Sequence, residues 1–352
     1  MDKFSQYIPK NTTGFLNQAY PPTSVVIRRP DLIQGVPDGI LSLCVPILLY
    51  WSYSTFFHIV DTYELAEKYR IHPSEEVLQR NKVTLRVVIQ DVIVQHIIQT
   101  LVGLVFYKLD PVPTTGYEQR EMWYLKQRLP PFLKWNDTIA NLLVYYGYWY
   151  GLSATKIIIA FVIIDTWQFF LHRLMHVNKT LYRKFHSRHH KLYVPYAFGA
   201  LFNDPFEGFL LDTVGAGLAA IITGLTPRES MVLYGFSTLK TVDDHCGYSL
   251  PFDIFQIIFP NDSIYHDIHH QHFGIKSNFS QPFFTFWDRF FGTTFHGVDQ
   301  YKQSQQKITL ERYKEFLASR QKSRIQKQQQ QHSKVERYSD SEDEPDHQKK
   351  EQ

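Results

Sequence analysis

The sequence predicts an all-α protein that crosses a membrane several times and carries a histidine-rich helical cap. Three observations predict it. Apolar stretches of span length recur through the middle of the chain, and the first of them, 39–60, contains no Lys, Arg, Asp or Glu. Ten of the 16 histidines lie between residues 172 and 272, grouped at helical spacing. Both ends are polar and carry neither pattern. The formal net charge of +3 over 352 residues calls for no polyanionic partner, so no nucleic acid is expected. The two cysteines, Cys44 and Cys246, are too few for a disulfide framework and form no CxxC pair.

Residues 1–37 read as a polar N-terminal segment. Prolines 9, 21, 22, 30 and 37 break it, and no basic stretch leads into an apolar run, so no cleavable signal peptide is expected. Residues 38–300 read as one membrane-embedded unit. Its first span is 39–60, "GILSLCVPILLYWSYSTFFHIV", with Trp51 and tyrosines suited to an interfacial belt. A charged loop follows, in which Pro73, Ser74, Glu75 and Glu76 mark a helix start. The second span is 87–107. Its Asp91, Gln95, His96 and Gln99 fall at i, i+4, i+5 and i+8, a polar stripe that belongs against other helices. Residues 108–137 form an amphipathic connector. The apolar region 138–171, broken near "YGYWYGLSATK", reads as a hairpin of two spans or as one span plus a surface helix. The region 206–240, broken at "GLTPRES", reads as a re-entrant segment or tight hairpin. Residues 301–352 form a polar tail, helical over roughly 309–328 and then disordered through a glutamine run and an acidic block.

The histidines carry the chemistry. "HRLMH" gives His172 and His176; "HSRHH" gives His186, His189 and His190; "HDIHH" gives His266, His269 and His270; His245 stands alone in "DDHCGY". Residues three and four apart share a helix face, and two imidazoles on one face can bind one metal. Nine such nitrogens are too many for one ion and suit two, with four or five ligands each. Imidazole suits iron, copper, zinc or nickel, and the spacing does not choose among them. His272 is a possible additional ligand. On 156–176, Asp165 and Gln168 share a face with His172 and His176, and a carboxylate so deep in a span needs a partner, such as the second nitrogen of a ligand histidine. Asp204, Glu207, Asp243, Asp244 and Asp267 are further candidates for that role. Arg173, Lys179, Arg183, Lys184, Arg188 and Lys191 accompany the first two groups and place this side in the cytosol. The cap is therefore expected to be a cytosolic di-metal cap. A membrane metal-binding or transport protein is the non-enzyme alternative, but a transporter would place polar ligands at the bilayer midplane.

This succession of HxxxH, HxxHH, an isolated histidine and HxxHH resembles the membrane fatty acid hydroxylase and sterol desaturase superfamily. "DTYELAEKYRIHPSEE" (61–76), "DTWQFFLHRLMH" (165–176), "LYVPYAFGALFNDPFEGFLLDT" (192–213), "TVDDHCGYSLPFD" (241–253) and "NDSIYHDIHHQHFGIKSNFSQPFFTFWDRFFGT" (261–293) resemble its fungal sphinganine C4-hydroxylase branch. The resemblance covers roughly 38–295. Some superfamily members have a second histidine four residues before the isolated one, where this chain has Thr241.

The resemblance implies an oxygen-dependent di-iron monooxygenase of the endoplasmic reticulum, multi-pass, with its site and C-terminus facing the cytosol. It implies two iron ions, molecular oxygen, and electrons from NADPH or NADH through cytochrome b5 and its reductase. The implied substrate is a long-chain sphingoid base, sphinganine, or dihydroceramide, drawn from the membrane lipid and hydroxylated at carbon 4. Asn203, Asp204 and Glu207 are candidates for holding the amino-diol head group. Within the same superfamily the alternatives are a sterol C4-methyl oxidase or C5-desaturase and a fatty acyl 2-hydroxylase. The chain ends in "QKKEQ", so Lys349 and Lys350 match the dilysine pattern for retrieval to that compartment.

Overall fold

The computed structural model describes residues 9–342. Helix α1 (Lys10–Leu16) precedes α2 (Asp38–Thr62), α3 (Ser74–Arg80) and α4 (Leu85–Leu109). The amphipathic α5 (Glu118–Arg128) lies before α6 (Asp137–Tyr146), which continues through a π turn (Gly147–Gly151) into α7 (Leu152–Val177). Then come α8 (Lys179–Lys184), 3-10 turns at His186–Lys191 and Ala197–Leu201, α9 (Pro205–Gly208), a second π turn (Phe209–Val214) and α10 (Gly215–Thr223). Helix α11 (Pro227–Asp244) turns back, and α12 (Ile254–Ile258), α13 (Ser263–His270), α14 (Phe286–Phe291) and α15 (Val298–Glu342) complete the chain. Among the described residues the strands are two dipeptides, with Ile27 opposite Thr115.

Four helical runs are long and apolar enough to cross a membrane: Asp38–Thr62, Leu85–Leu109, Asp137–Val177 and Pro205–Thr223. Leu48, Leu101, Ile158 and Ile222 stand exposed on them, as side chains facing lipid do. The fold is that of a multi-pass membrane protein. The break near 147–151 does not reverse the chain. Gly147 and Gly151 keep right-handed helical angles, and the π turn absorbs the irregularity, giving one run of 41 residues. At 1.5 Å per residue this run is about 60 Å long, twice a hydrocarbon core. The region 206–240 is a helical hairpin. Gly224, with φ 61° and ψ 46°, ends α10 in the left-handed conformation. Thr226 and Glu229 then form a capping box, and Pro227 starts α11.

Small residues set the helix spacing. A Cβ on Gly235 of α11 would lie 2.8 Å from Leu49 Cδ1 of α2, and one on Gly215 would lie 2.7 Å from Trp167 Cδ1 of α7. One core cluster, including Tyr50, Phe57, Val88, Val92, Phe202 and Val242, joins α2, α4 and α11 beneath the cap. The polar stripe of α4 faces inward: Gln95 and His96 are buried, and Asp91 pairs with Arg188 of the His186–Lys191 turn.

The C-terminal helix exceeds its expected range. Instead of ending near 328 it extends over Val298–Glu342, through the glutamine run. Gln, Lys, Arg and Glu are good helix formers, and neither Gly nor Pro occurs between 298 and 342. Lys349 and Lys350 lie outside the described residues. The first turns of α15 dock on the cap, where Thr309 Oγ1 donates to Arg70 O at 2.7 Å and Tyr301 Oη donates to Asp267 Oδ2 at 2.7 Å.

Between these elements lies His72, buried, with Nδ1 3.2 Å from Glu76 and Nε2 3.0 Å from Asp267. Burial alone would lower its pKa, but the two carboxylates outweigh it and raise the value from 6.5 to about 9. A raised folded value means that the contribution to stability is full below 6.5 and fades as pH rises through about 9. The melting temperature of the protein should therefore exceed that of His72→Gln at pH 6.5, and the gap should shrink as pH approaches 9. A gap constant across that range would assign His72 a neutral packing role.

Candidate metal centre

Nine histidines converge beside the ends of α7 and α11, and the structure divides them into two groups. His172, His176, His186, His190 and His269 form one; His189, His245, His266 and His270 form the other. Within each group the ligating nitrogens lie within 4.8 Å of one another. The groups abut, with the rings of His190 and His270 4.9 Å apart. The division cuts across the sequence motifs. In both HxxHH repeats the i, i+4 pair joins one group while the middle histidine points to the other. His186 and His190 go with His172, and His189 does not; His266 and His270 go with His245, and His269 does not.

Each element is placed by ordinary local chemistry. His172 and His176 end the α7 run. Asn178 caps α8, accepting from the backbone N–H of Thr180 and Leu181, and so turns the chain toward His186–Lys191. Asp262 caps α13, accepting from Tyr265 N at 2.8 Å. His245 sits at the C-cap of α11.

The second ring nitrogens fix the orientation. His172 Nδ1 donates to Phe279 O (2.8 Å), His189 Nδ1 to Phe202 O (3.1 Å), His245 Nδ1 to Thr241 O (2.9 Å), His269 Nδ1 to Ser277 O (2.7 Å) and His270 Nδ1 to Leu192 O (2.7 Å). His186 Nδ1 donates to the Glu207 carboxylate. A carbonyl only accepts, so in these neutral rings the proton sits on Nδ1 and Nε2 presents a bare lone pair. His172 Nε2 and His186 Nε2 then face each other at 3.1 Å, both bare. His269 Nε2 is buried with no partner. A cation between such lone pairs reconciles the arrangement. The donor set therefore fits metal ions that favour nitrogen.

Electrostatics agree for the histidines outside the membrane helices. Burial, with the neighbouring imidazoles adding to it, holds His186, His190, His266 and His270 well below the usual range. Burial lowers His189 to about 4 and His245 and His269 to about 3. They are neutral at physiological pH, the state that ligates.

The carboxylates expected beside the histidines take several roles. Glu207 alone among them bonds one of the nine. Asp165 instead accepts the backbone N–H groups of Phe283 (3.1 Å) and Phe284 (2.6 Å). It pins the loop whose carbonyls hold His172 and His269. Asp204 caps α9 through Phe206 N. Asp244 pairs with Lys240, and Asp267 holds His72 and Tyr301. Asp243 is fully buried and bonds no histidine; burial, with Asp244 adding to it, raises it to about 9. His272 lies outside both groups, exposed, with its ring against Tyr193. Thr241 lines the space between the groups, its Oγ1 donating to Ser237 O at 2.9 Å.

Sequence reasoning missed Asp288. It is fully buried and accepts from Phe279 N, Ser280 N, Thr293 Oγ1 and Tyr265 Oη, so it shapes the same loop. Its only signal was a lone acid within the aromatic run "FWDRFF".

Two cavities meet here. A small chamber is lined by His186, His189, His245 and His266 with Glu207, Asn203 and Thr241. A larger cavity of about 660 Å³ runs among α2, α4, α10 and α11. Gln168, Asp212, Thr241 and Pro282 line both.

Known proteins are similar to this sequence. A family model described as fatty acid hydroxylase matches residues 157–293. A sphingolipid C4-hydroxylase of Saccharomyces cerevisiae is 54% identical over 318 residues, covering 90% of this chain and 89% of that protein. One from Schizosaccharomyces pombe is 44% identical over 259 residues, 72% of this chain and 87% of its own. A sphinganine C4-monooxygenase of Arabidopsis thaliana is 39% identical over 259 residues, 74% and 88%. No solved structure matches the chain.

Proposed function

We infer the reaction from one premise: the chain belongs to the fatty acid hydroxylase family. It is a sphingolipid C4-hydroxylase, adding a hydroxyl group to carbon 4 of sphinganine or dihydroceramide. The observation that carries this reading is the shared wall of the two cavities. An aliphatic chain lying in the larger, membrane-level cavity delivers its head-proximal carbons to the chamber lined by histidines of both groups.

The five-membered and four-membered groups would each hold one iron ion. Two iron ions there would supply the oxygen activation that an unactivated C–H bond requires, one oxygen atom ending in the hydroxyl and the other in water at the expense of two external electrons and two protons. The protein's part is positioning and exclusion. Glu207 fixes the His186 ring, and the backbone carbonyls fix five others. The surrounding helices bury the site and keep bulk water from it. Cytochrome b5, reduced by NADPH or NADH through its reductase, is the electron donor we assign. Exposed Lys179, Arg183, Lys184 and Lys191 beside the histidines offer a basic face to an acidic partner. The same residues favour a cytosolic cap in the endoplasmic reticulum membrane.

Expression in a yeast strain lacking its own C4-hydroxylase tests the reading, with sphingoid bases analysed by mass spectrometry. The 4-hydroxy base should reappear. Altered sterols or 2-hydroxy acyl chains without it would overturn the assignment.

A further inference from the structure

We propose that Asp212 is the counter-ion for the protonated amine of a free sphingoid base, and so the residue that sets preference for that base over its N-acylated form. This rests on the sphingoid-base reading above.

Asp212 lies in the π turn Phe209–Val214. A π turn inserts an extra residue into the helix and re-aims the side chains around it, a device common at functional sites. Gln168 Nε2 donates to Asp212 Oδ1 at 3.3 Å, while Oδ2 is shut away from solvent with no partner. Asp212 lines both the histidine chamber and the large cavity. No Lys or Arg lines the chamber. The other two carboxylates there are engaged, Glu207 with His186 and Asp244 with Lys240. Asp212 is therefore the chamber's one carboxylate without a charged or imidazole partner, at the point a substrate must pass.

Burying a carboxylate among apolar helices is costly unless a cation joins it. The substrate carries one. Its amine is on carbon 2, two carbons from the reacting carbon, so a chain with carbon 4 in the chamber holds its nitrogen beside the junction. A free base presents an ammonium there, which gives Oδ2 a charge-assisted hydrogen bond. Dihydroceramide presents a neutral amide N–H with a second acyl chain, which can donate a hydrogen bond but forms no ion pair.

Asp212→Asn keeps the shape and the Gln168 contact and removes the charge. Its KM for sphinganine should rise about 10- to 100-fold, the loss expected for one hydrogen bond to a charged group, with kcat little changed. KM for N-acetylsphinganine, which brings no charge, should rise much less, several-fold at most. Asp212→Glu should retain the preference. An independent readout needs no turnover: in purified full-length protein without electron donor, sphinganine should raise the melting temperature more than N-acetylsphinganine does, and Asp212→Asn should erase that difference. Equal losses on both substrates, an unchanged ratio, or a fall in bound iron would overturn the proposal. Wild-type protein that hydroxylates neither substrate would instead overturn the reading on which it rests.

Discussion

Alanine at His172, His189 or His269 should leave the protein in the membrane and remove hydroxylation, with a loss of 100-fold or more. That estimate takes as its floor the ~10–100-fold cost of losing a mere orienting partner of a metal ligand. His172 and His269 belong to the five-membered group and His189 to the four-membered one, so the three variants probe both. All three side chains are buried, yet the cap's frame does not depend on them: Asp288, Asp165 and the core around Tyr50 and Phe57 are untouched. Iron per chain and membrane yield are the measurements. Iron should fall in each variant while yield holds. Near-normal activity in any two would remove the two-ion reading.

Glu207→Gln should weaken iron binding about 10- to 100-fold, the usual cost of losing a carboxylate behind a ligand histidine. The Glu207 carboxylate accepts from His186 Nδ1, both groups buried. Glutamine has the same shape, but its amide oxygen accepts less strongly and its amide nitrogen offers a donor where an acceptor is needed. Asp204→Asn is the matched control three residues away. Asp204 only caps α9, and asparagine caps as well as aspartate, so iron binding should be unchanged. Equal iron affinity in Glu207→Gln and wild type would mean that packing alone orients His186.

The sequence alone determined which side chains gather in the candidate metal centre. Span-length apolar runs place helices in a membrane, and nine imidazoles at i, i+3 and i+4 are a local pattern that needs no knowledge of the rest of the chain. Tertiary structure alone decided how those nine divide. Successive residues point about 100° apart in α13 and about 120° apart in the 3-10 turn His186–Lys191, so His269 and His270, like His189 and His190, face different sides. Which neighbour faces which group depends on where α7, α11 and α13 are packed. The orienting partners were equally hidden. Phe279 O, Ser277 O, Leu192 O and Phe202 O are backbone carbonyls, which every residue carries, so no residue type marks them. Asp165 was legible as a buried carboxylate needing a partner, but its partners proved to be the N–H groups of Phe283 and Phe284, over a hundred residues away. Local periodicity is written along the chain, whereas the direction a side chain faces once helices meet is a property of their packing.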